Sequence, residues 1–152
     1  MCNAVDANGG EVLKFIGDAM LAIFPIEDNA VSACRNALAA VGAAKAAVDR
    51  QNELRASADR PRIRYGLALH VGDVMYGNIG GEARLDFTVI GPAVNLTSRI
   101  ESTCKNLDRS PLLSAEFARL SGVAADFLGE FELKGVAEKQ PIYGLSAMTY
   151  SR

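Results

Sequence analysis

Four side chains stand out as able to do chemistry: Lys14, Asp18, Asn95 and Arg99. Lys14 interrupts the otherwise apolar run 12–16, and Asp18 ends the Gly17-Asp18 pair that separates it from a second apolar run, 19–24. A two-residue loop with Gly first fits a II′-type hairpin turn, because Gly accepts the positive φ required there. Asp18 then sits at the hairpin tip, aimed at something outside the hairpin. Along one strand Lys14 and Asp18 are roughly 13 Å apart at about 3.3 Å per residue, too far to neutralise each other. An ammonium on a core-like strand needs an acceptor from elsewhere, since burying it unpaired is costly. Asn95 and Arg99, four residues apart, share one helical flank away from the apolar positions Leu96, Ile100, Cys104 and Leu107. Each also has an ordinary reading: a turn aspartate, a lysine snorkelling from a sheet edge, a solvated helix flank.

The elements that must position them read as an α+β domain. Asp28 can cap a helix with apolar positions Val31, Cys34, Leu38, Val41, Ala44 and Val48, running in an Ala-rich stretch to about Leu54. Residues 57–61 read as a loop. Residues 63–70 and 74–79 read as strands joined by a second tight turn at Gly72-Asp73, and 85–90 as a further strand. Pro92 opens the helix of Asn95 and Arg99, at a position where a missing N–H does no harm. A short helix over 114–120 and strands near 127–133 and 141–145 complete the chain, while residues 1–8 carry little pattern. Frequent hairpins with helices between them predict an antiparallel sheet covered by helices.

Bulk properties bound the function. The 152 residues are 49% hydrophobic and 22% charged with a net charge of −2, as expected of one globular domain with a real core. Near-neutral charge argues against a nucleic-acid partner held by bulk electrostatics. Three scattered cysteines, Cys2, Cys34 and Cys104, lack metal spacing and fit a reduced, cytoplasmic chain. No run is long enough for a membrane span, and no signal-peptide pattern opens the chain. His70, the single histidine, reads as structural, with no Ser/His/Asp set evident around it. The glycines of residues 72–81 do not lead into a helix, so no P-loop or dinucleotide fingerprint is present.

Three segments in order carry a resemblance: Val12-Leu13-Lys14-Phe15-Ile16-Gly17-Asp18-Ala19; Gly66-Leu67-Ala68-Leu69-His70-Val71-Gly72 with Gly77-Asn78-Ile79-Gly80; and Phe87-Thr88-Val89-Ile90-Gly91-Pro92-Ala93-Val94-Asn95-Leu96-Thr97-Ser98-Arg99. With Leu133-Lys134-Gly135, they resemble the catalytic domain of class III adenylate/guanylate cyclases over about residues 9–145. The resemblance implies a ferredoxin-like α+β fold and a head-to-tail homodimer with ATP at the interface. It implies attack of the ribose 3′-oxygen on the α-phosphorus, giving 3′,5′-cyclic AMP and pyrophosphate with the help of two Mg2+ or Mn2+ ions. Asp18 matches one of two metal-binding aspartates. Lys14 and Thr88 match base-reading positions in a combination that favours ATP over GTP. Asn95 and Arg99 match the residues that orient the ribose and stabilise charge on the α-phosphate. Lys134 and Arg64 match phosphate-contacting cations. Such domains act in signal transduction, coupled to sensor or regulatory domains in longer chains.

Two departures qualify this expectation. The family's first strand and helix, with the other metal aspartate, have no counterpart here, since Asp6 lacks the surrounding pattern. Residues 1–152 therefore read as a single cyclase domain lacking that first strand and helix, expected to have little activity alone. Pro92 also stands where an acidic or amide residue is common. The alternative is an inactive cyclase-like module that dimerises and binds nucleotide. An unrelated α+β enzyme would need another catalytic set, and none is evident.

Overall fold

The structure, a computed structural model, describes residues 1–81 and 84–146, except for the side chains of residues 78–81 and 84–88. Its elements are α1 (Cys2–Asp6), β1 (Glu11–Ile16), β2 (Ala19–Ile23), α2 (Ala30–Ser57), β3 (Ala68–Leu69), β4 (Met75–Gly81), β5 (Arg84–Ile90), α3 (Pro92–Ser102), α4 (Cys104–Leu107), β6 (Leu112–Ser114), α5 (Ala115–Ser121), β7 (Ala125–Phe131) and β8 (Gln140–Leu145). The α+β class is as expected. The patternless start forms the short helix α1, whose Val5 is buried.

β1 and β2 pair antiparallel, with Ile16 opposite Ala19, so Gly17-Asp18 is a two-residue turn. Gly17 has φ +64°, the sign that position demands. A bulge between Val12 and Lys14 shifts the register so that Lys14 faces Leu21. β4 and β5 form a second hairpin, from Met75 opposite Ile90 to Gly81 opposite Arg84. Tyr76 Oη donates to Glu11 Oε2 at 2.7 Å, tying this hairpin to β1.

A four-stranded sheet in the order β3-β6-β8-β7 carries the core. Leu112 and Leu113 on β6 are fully buried and, as strand neighbours, face opposite ways. Leu113 packs with Cys34 and Ala37 of α2 and Phe117 of α5, while Leu112 packs with Ile100 of α3, Cys104 and Ile142. Helices thus cover both faces, and one dipeptide joins the two halves of the core.

Several expectations are corrected in detail. The cap of α2 is Asn29, whose side chain accepts from the Val31 N–H at 2.8 Å, in place of Asp28. The expected strand over 63–70 shrinks to Ala68–Leu69. Its first residue, Ile63, has its backbone N–H and C=O taken by the Asn52 side chain, at 2.7 and 3.1 Å. That leaves nothing for a strand neighbour at this residue. The hairpin expected at Gly72-Asp73 does not form, because β3 pairs in parallel with β6 and β4 pairs with β5. The parallel pair is reached through the long crossover containing β4, β5 and α3, as parallel strands require.

β2 and β3 are edge strands of different sheets, and a cavity of about 510 Å3 lies between them. Leu21 and Ile23 line one wall, Leu69 and Val71 the other, with Ala37 and Val41 of α2 also lining it.

Candidate active site on the exposed flank of helix α3

Helix α3 owes its position to its buried stripe. Ile100 is fully buried, Leu96 packs in the same cluster, and Cys104 continues the row into α4. Gly91 precedes the helix with φ +146°, a conformation essentially restricted to glycine, and its carbonyl accepts from the Asn95 N–H at 3.4 Å. With that stripe anchored, Asn95 and Arg99 are left exposed one turn apart, about 6 Å along the helix axis. A helix held rigidly from behind is a suitable base for two polar groups that must act together on one ligand.

α3 packs against β5, and β5 against β1, so the element carrying Thr88 lies between the other two site elements. Thr88 pairs with Gly77 across the hairpin, and its side chain lies outside the described residues. Lys14 is exposed on the outer half of β1, and Asp18 is exposed at the turn beyond it. The ammonium expected among core side chains therefore stands at the surface and bears no burial cost. Arg64 is exposed in the segment leading to β3. Lys134 is exposed in a turn closed by Val136 N–H donating to the Leu133 carbonyl at 3.0 Å, beside a buried Leu133. The structure thus brings Asn95 and Arg99 together and keeps Lys14 and Asp18 apart along one hairpin.

Asp18 suits a hard divalent cation as one donor, but such a cation takes about six oxygen ligands. Among the described residues, no three His, Cys, Asp or Glu side chains gather closely enough to hold a metal. Among the described residues, Asp18 thus offers one oxygen donor of that kind.

Three connections escaped sequence reasoning. Asn52 continues the buried stripe of α2, and a polar residue at a core position was the available signal. Ser114 caps α5 by accepting from the Phe117 N–H at 3.2 Å, and its Oγ lies 2.9 Å from His70 Nδ1. Burial pushes the His70 pKa down, with Glu116 acting weakly in the opposite sense. Hydrogen bonding to the Glu11 carboxylate, the largest effect on Tyr76, raises its phenol pKa. No local pattern announced either long-range pair.

The sequence model of the family described as "Adenylate and Guanylate cyclase catalytic domain" matches residues 1–147. The chain belongs to this family. Among curated relatives of the cyclase domain, the adenylate cyclase of Anabaena cylindrica is 37% identical over 123 residues, covering 78% of this chain and 24% of the relative. Adenylate cyclase 2 of Rhizobium meliloti is 30% identical over 161 residues, covering 99% of this chain and 42% of the relative. The cyclase domain thus spans less than half the length of these two proteins. Among solved structures, the guanylyl cyclase Cya2 aligns with a TM-score of 0.78 at 23% identity, covering 98% of this chain and 79% of that one. The adenylyl cyclase CyaB from P. aeruginosa aligns with a TM-score of 0.72 at 27% identity, covering 99% and 76%. The fold is that of a nucleotide cyclase catalytic domain. No helix among the described residues is long and apolar enough to cross a membrane.

Proposed function

We propose that this cyclase domain converts ATP to 3′,5′-cyclic AMP and pyrophosphate. In the reaction the ribose 3′-oxygen bonds to the α-phosphorus, the bond from that phosphorus to the pyrophosphate oxygen breaks, and the 3′-hydroxyl proton is lost. The observation that carries this reading is the exposed Asn95–Arg99 pair on a helix whose opposite face is buried. Arg99 stabilises the charge that builds on the α-phosphate oxygens, a role in which a positioned cation contributes most. Asn95 orients the ribose so that the 3′-oxygen lies in line with the leaving group. Lys14 and Thr88 read the adenine edge, and Arg64 and Lys134 hold the terminal phosphates. The substrate assignment agrees with the names of the curated relatives, both called adenylate cyclases.

We propose Asp18 as one ligand of Mg2+ or Mn2+. A bound cation of this kind supplies acidification of a hydroxyl and neutralisation of a triphosphate. The companion carboxylate would come from a strand outside residues 1–152, and the slot between the edges of β2 and β3 has apolar walls suited to one. Exposed apolar side chains at the two hairpins, Phe15 at 65%, Ile16 at 58% and Met75 at 70%, fit a homodimer interface. In such a head-to-tail dimer, Asp18 and Lys14 serve different nucleotides, which accounts for their separation. The domain would work in the cytoplasm within a longer signalling chain, joined to a regulatory domain.

A second reading has its own observation. Among the described residues no group of three His, Cys, Asp or Glu gathers to hold a metal, which favours a module that dimerises and binds nucleotide without turnover. The two are separated by measuring cyclic AMP formation from ATP, with Mg2+ or Mn2+, in the native polypeptide carrying this domain and in its Arg99→Ala variant. Turnover that the variant loses supports the cyclase; nucleotide binding without turnover supports the module. Undiminished turnover in the variant overturns the role of Arg99.

A further inference from the structure

His70 belongs to none of the roles above, yet it stands where three elements converge. It follows β3 directly, its Nδ1 lies 2.9 Å from Ser114 Oγ, and Ser114 is the cap of α5. On its other side is Gly72. A Cβ at Gly72 would lie 2.8 Å from His70 Nε2 and 2.8 Å from the Cβ of Ala93, in the first turn of α3. A Cβ on Gly91, just before that helix, would lie 3.4 Å from the Asp73 carbonyl. Ser114, His70, Gly72 and Ala93 thus lie in succession from the α5 cap to the start of the helix that carries Asn95 and Arg99, with no room for a Cβ at Gly72.

The bonds of Ser114 bear on the tautomer of the ring. Ser114 is 6% exposed, and its Oγ already accepts from the Phe117 N–H. Its own hydroxyl proton needs an acceptor, a role that His70 Nδ1 can fill at 2.9 Å. That pairing requires Nδ1 to be unprotonated in the neutral ring, with the proton on Nε2. Glu116 of α5 is the carboxylate whose field reaches this ring.

We infer that His70 is a positioning residue for the Asn95–Arg99 face: packed against Gly72 and anchored to the α5 cap, it holds the 71–74 segment against the first turn of α3. This rests on the cyclase reading for its consequence in turnover, but not for the coupling between His70 and α3. A displacement of about 1 Å in groups that position a reacting substrate can cost up to a hundredfold in rate.

Two variants test it. His70→Ala removes the ring. Gly72→Ala keeps the ring and its bond to Ser114 but inserts a methyl between His70 and Ala93; Gly72 has no positive φ, so this probes space and not backbone strain. Amide hydrogen exchange at Asn95 and Leu96 is expected to quicken about tenfold or more in both variants. His70→Asn, whose Oδ1 can replace Nδ1 as the acceptor, is expected to restore most of the protection. In the native polypeptide, His70→Ala and Gly72→Ala are expected to lower kcat about tenfold with KM within about twofold. Nitrogen NMR of the wild-type ring is expected to show the Nε2–H tautomer. Unchanged α3 exchange in both variants, or a proton on Nδ1 in the neutral ring, would overturn the inference. Loss of α3 protection together with unchanged kcat overturns the link to turnover, and undiminished turnover in Arg99→Ala overturns the cyclase reading, while exchange still decides the coupling.

Discussion

The Asn52 side chain binds both backbone polar groups of Ile63, accepting from its N–H at 2.7 Å and donating to its carbonyl at 3.1 Å. A single buried amide thereby takes the residue at which the expected strand would begin and fixes the path of the chain from α2 back to the sheet. Arg55 supports the same loop by donating from Nε to the Pro61 carbonyl at 2.6 Å.

Replacing Asn52 with Ala unpairs two backbone groups of Ile63 beside a buried position, where an unmade hydrogen bond costs about 1–3 kcal/mol each and less as far as water reaches them. Chemical denaturation is expected to show a loss of about 2–4 kcal/mol for Asn52→Ala. Asn52→Asp keeps only the acceptor and is expected to recover less than half of it. A loss below about 0.5 kcal/mol in Asn52→Ala would mean that the Ile63 groups find water instead.

Arg99 and Asn95 are exposed, so their removal leaves the fold intact. Arg99→Ala and Asn95→Ala are each expected to change stability by no more than about 0.5 kcal/mol. Arg99→Ala should lower cyclic AMP formation in the native polypeptide about a hundredfold or more. The pairing of thermal melting with initial rates separates this from unfolding.

The pH dependence follows from His70, whose pKa burial lowers in the folded state. As pH falls below the ordinary histidine value, the unfolded chain binds the proton first. Folding stability is then lost as pH drops from about 6.5 through the lower folded value, and is fully present above 6.5. Midpoints of urea unfolding between pH 7.5 and 5.5 are expected to fall in the wild type and to fall less in His70→Asn. An equal decline in both would assign the effect to carboxylates.

Burial raises the pKa of both core thiols, Cys104 to about 11. Thiolate being the reactive form, Cys34 and Cys104 are expected to resist alkylation at pH 8 in the folded protein. The partly exposed Cys2, whose Sγ lies 3.7 Å from Met20 Sδ, should react first. Mass spectrometry after iodoacetamide treatment, with and without urea, checks this directly.

Local and periodic features were legible along the chain. The turn at Gly17-Asp18, the buried stripe of Leu96, Ile100 and Cys104, and the exposed flank of Asn95 and Arg99 follow from positive-φ preference and a 3.6-residue period, both set by near neighbours. The short helix expected over 114–120 is found at Ala115–Ser121, one residue further on because Ser114 is its cap. What only the tertiary structure decided involves residues far apart. The strand at 63–70 was cut short by Asn52, eleven residues away, and the turn at Gly72-Asp73 opened because β3 found β6 forty-four residues later. The His70–Ser114 and Tyr76–Glu11 contacts likewise join residues separated by 44 and 65 positions. Pairings of that range depend on which edges meet once the core has closed, and short-range patterning carries no record of it. The candidate site residues could be named from their types along the chain, while their placement depends on buried side chains such as Ile100 behind them.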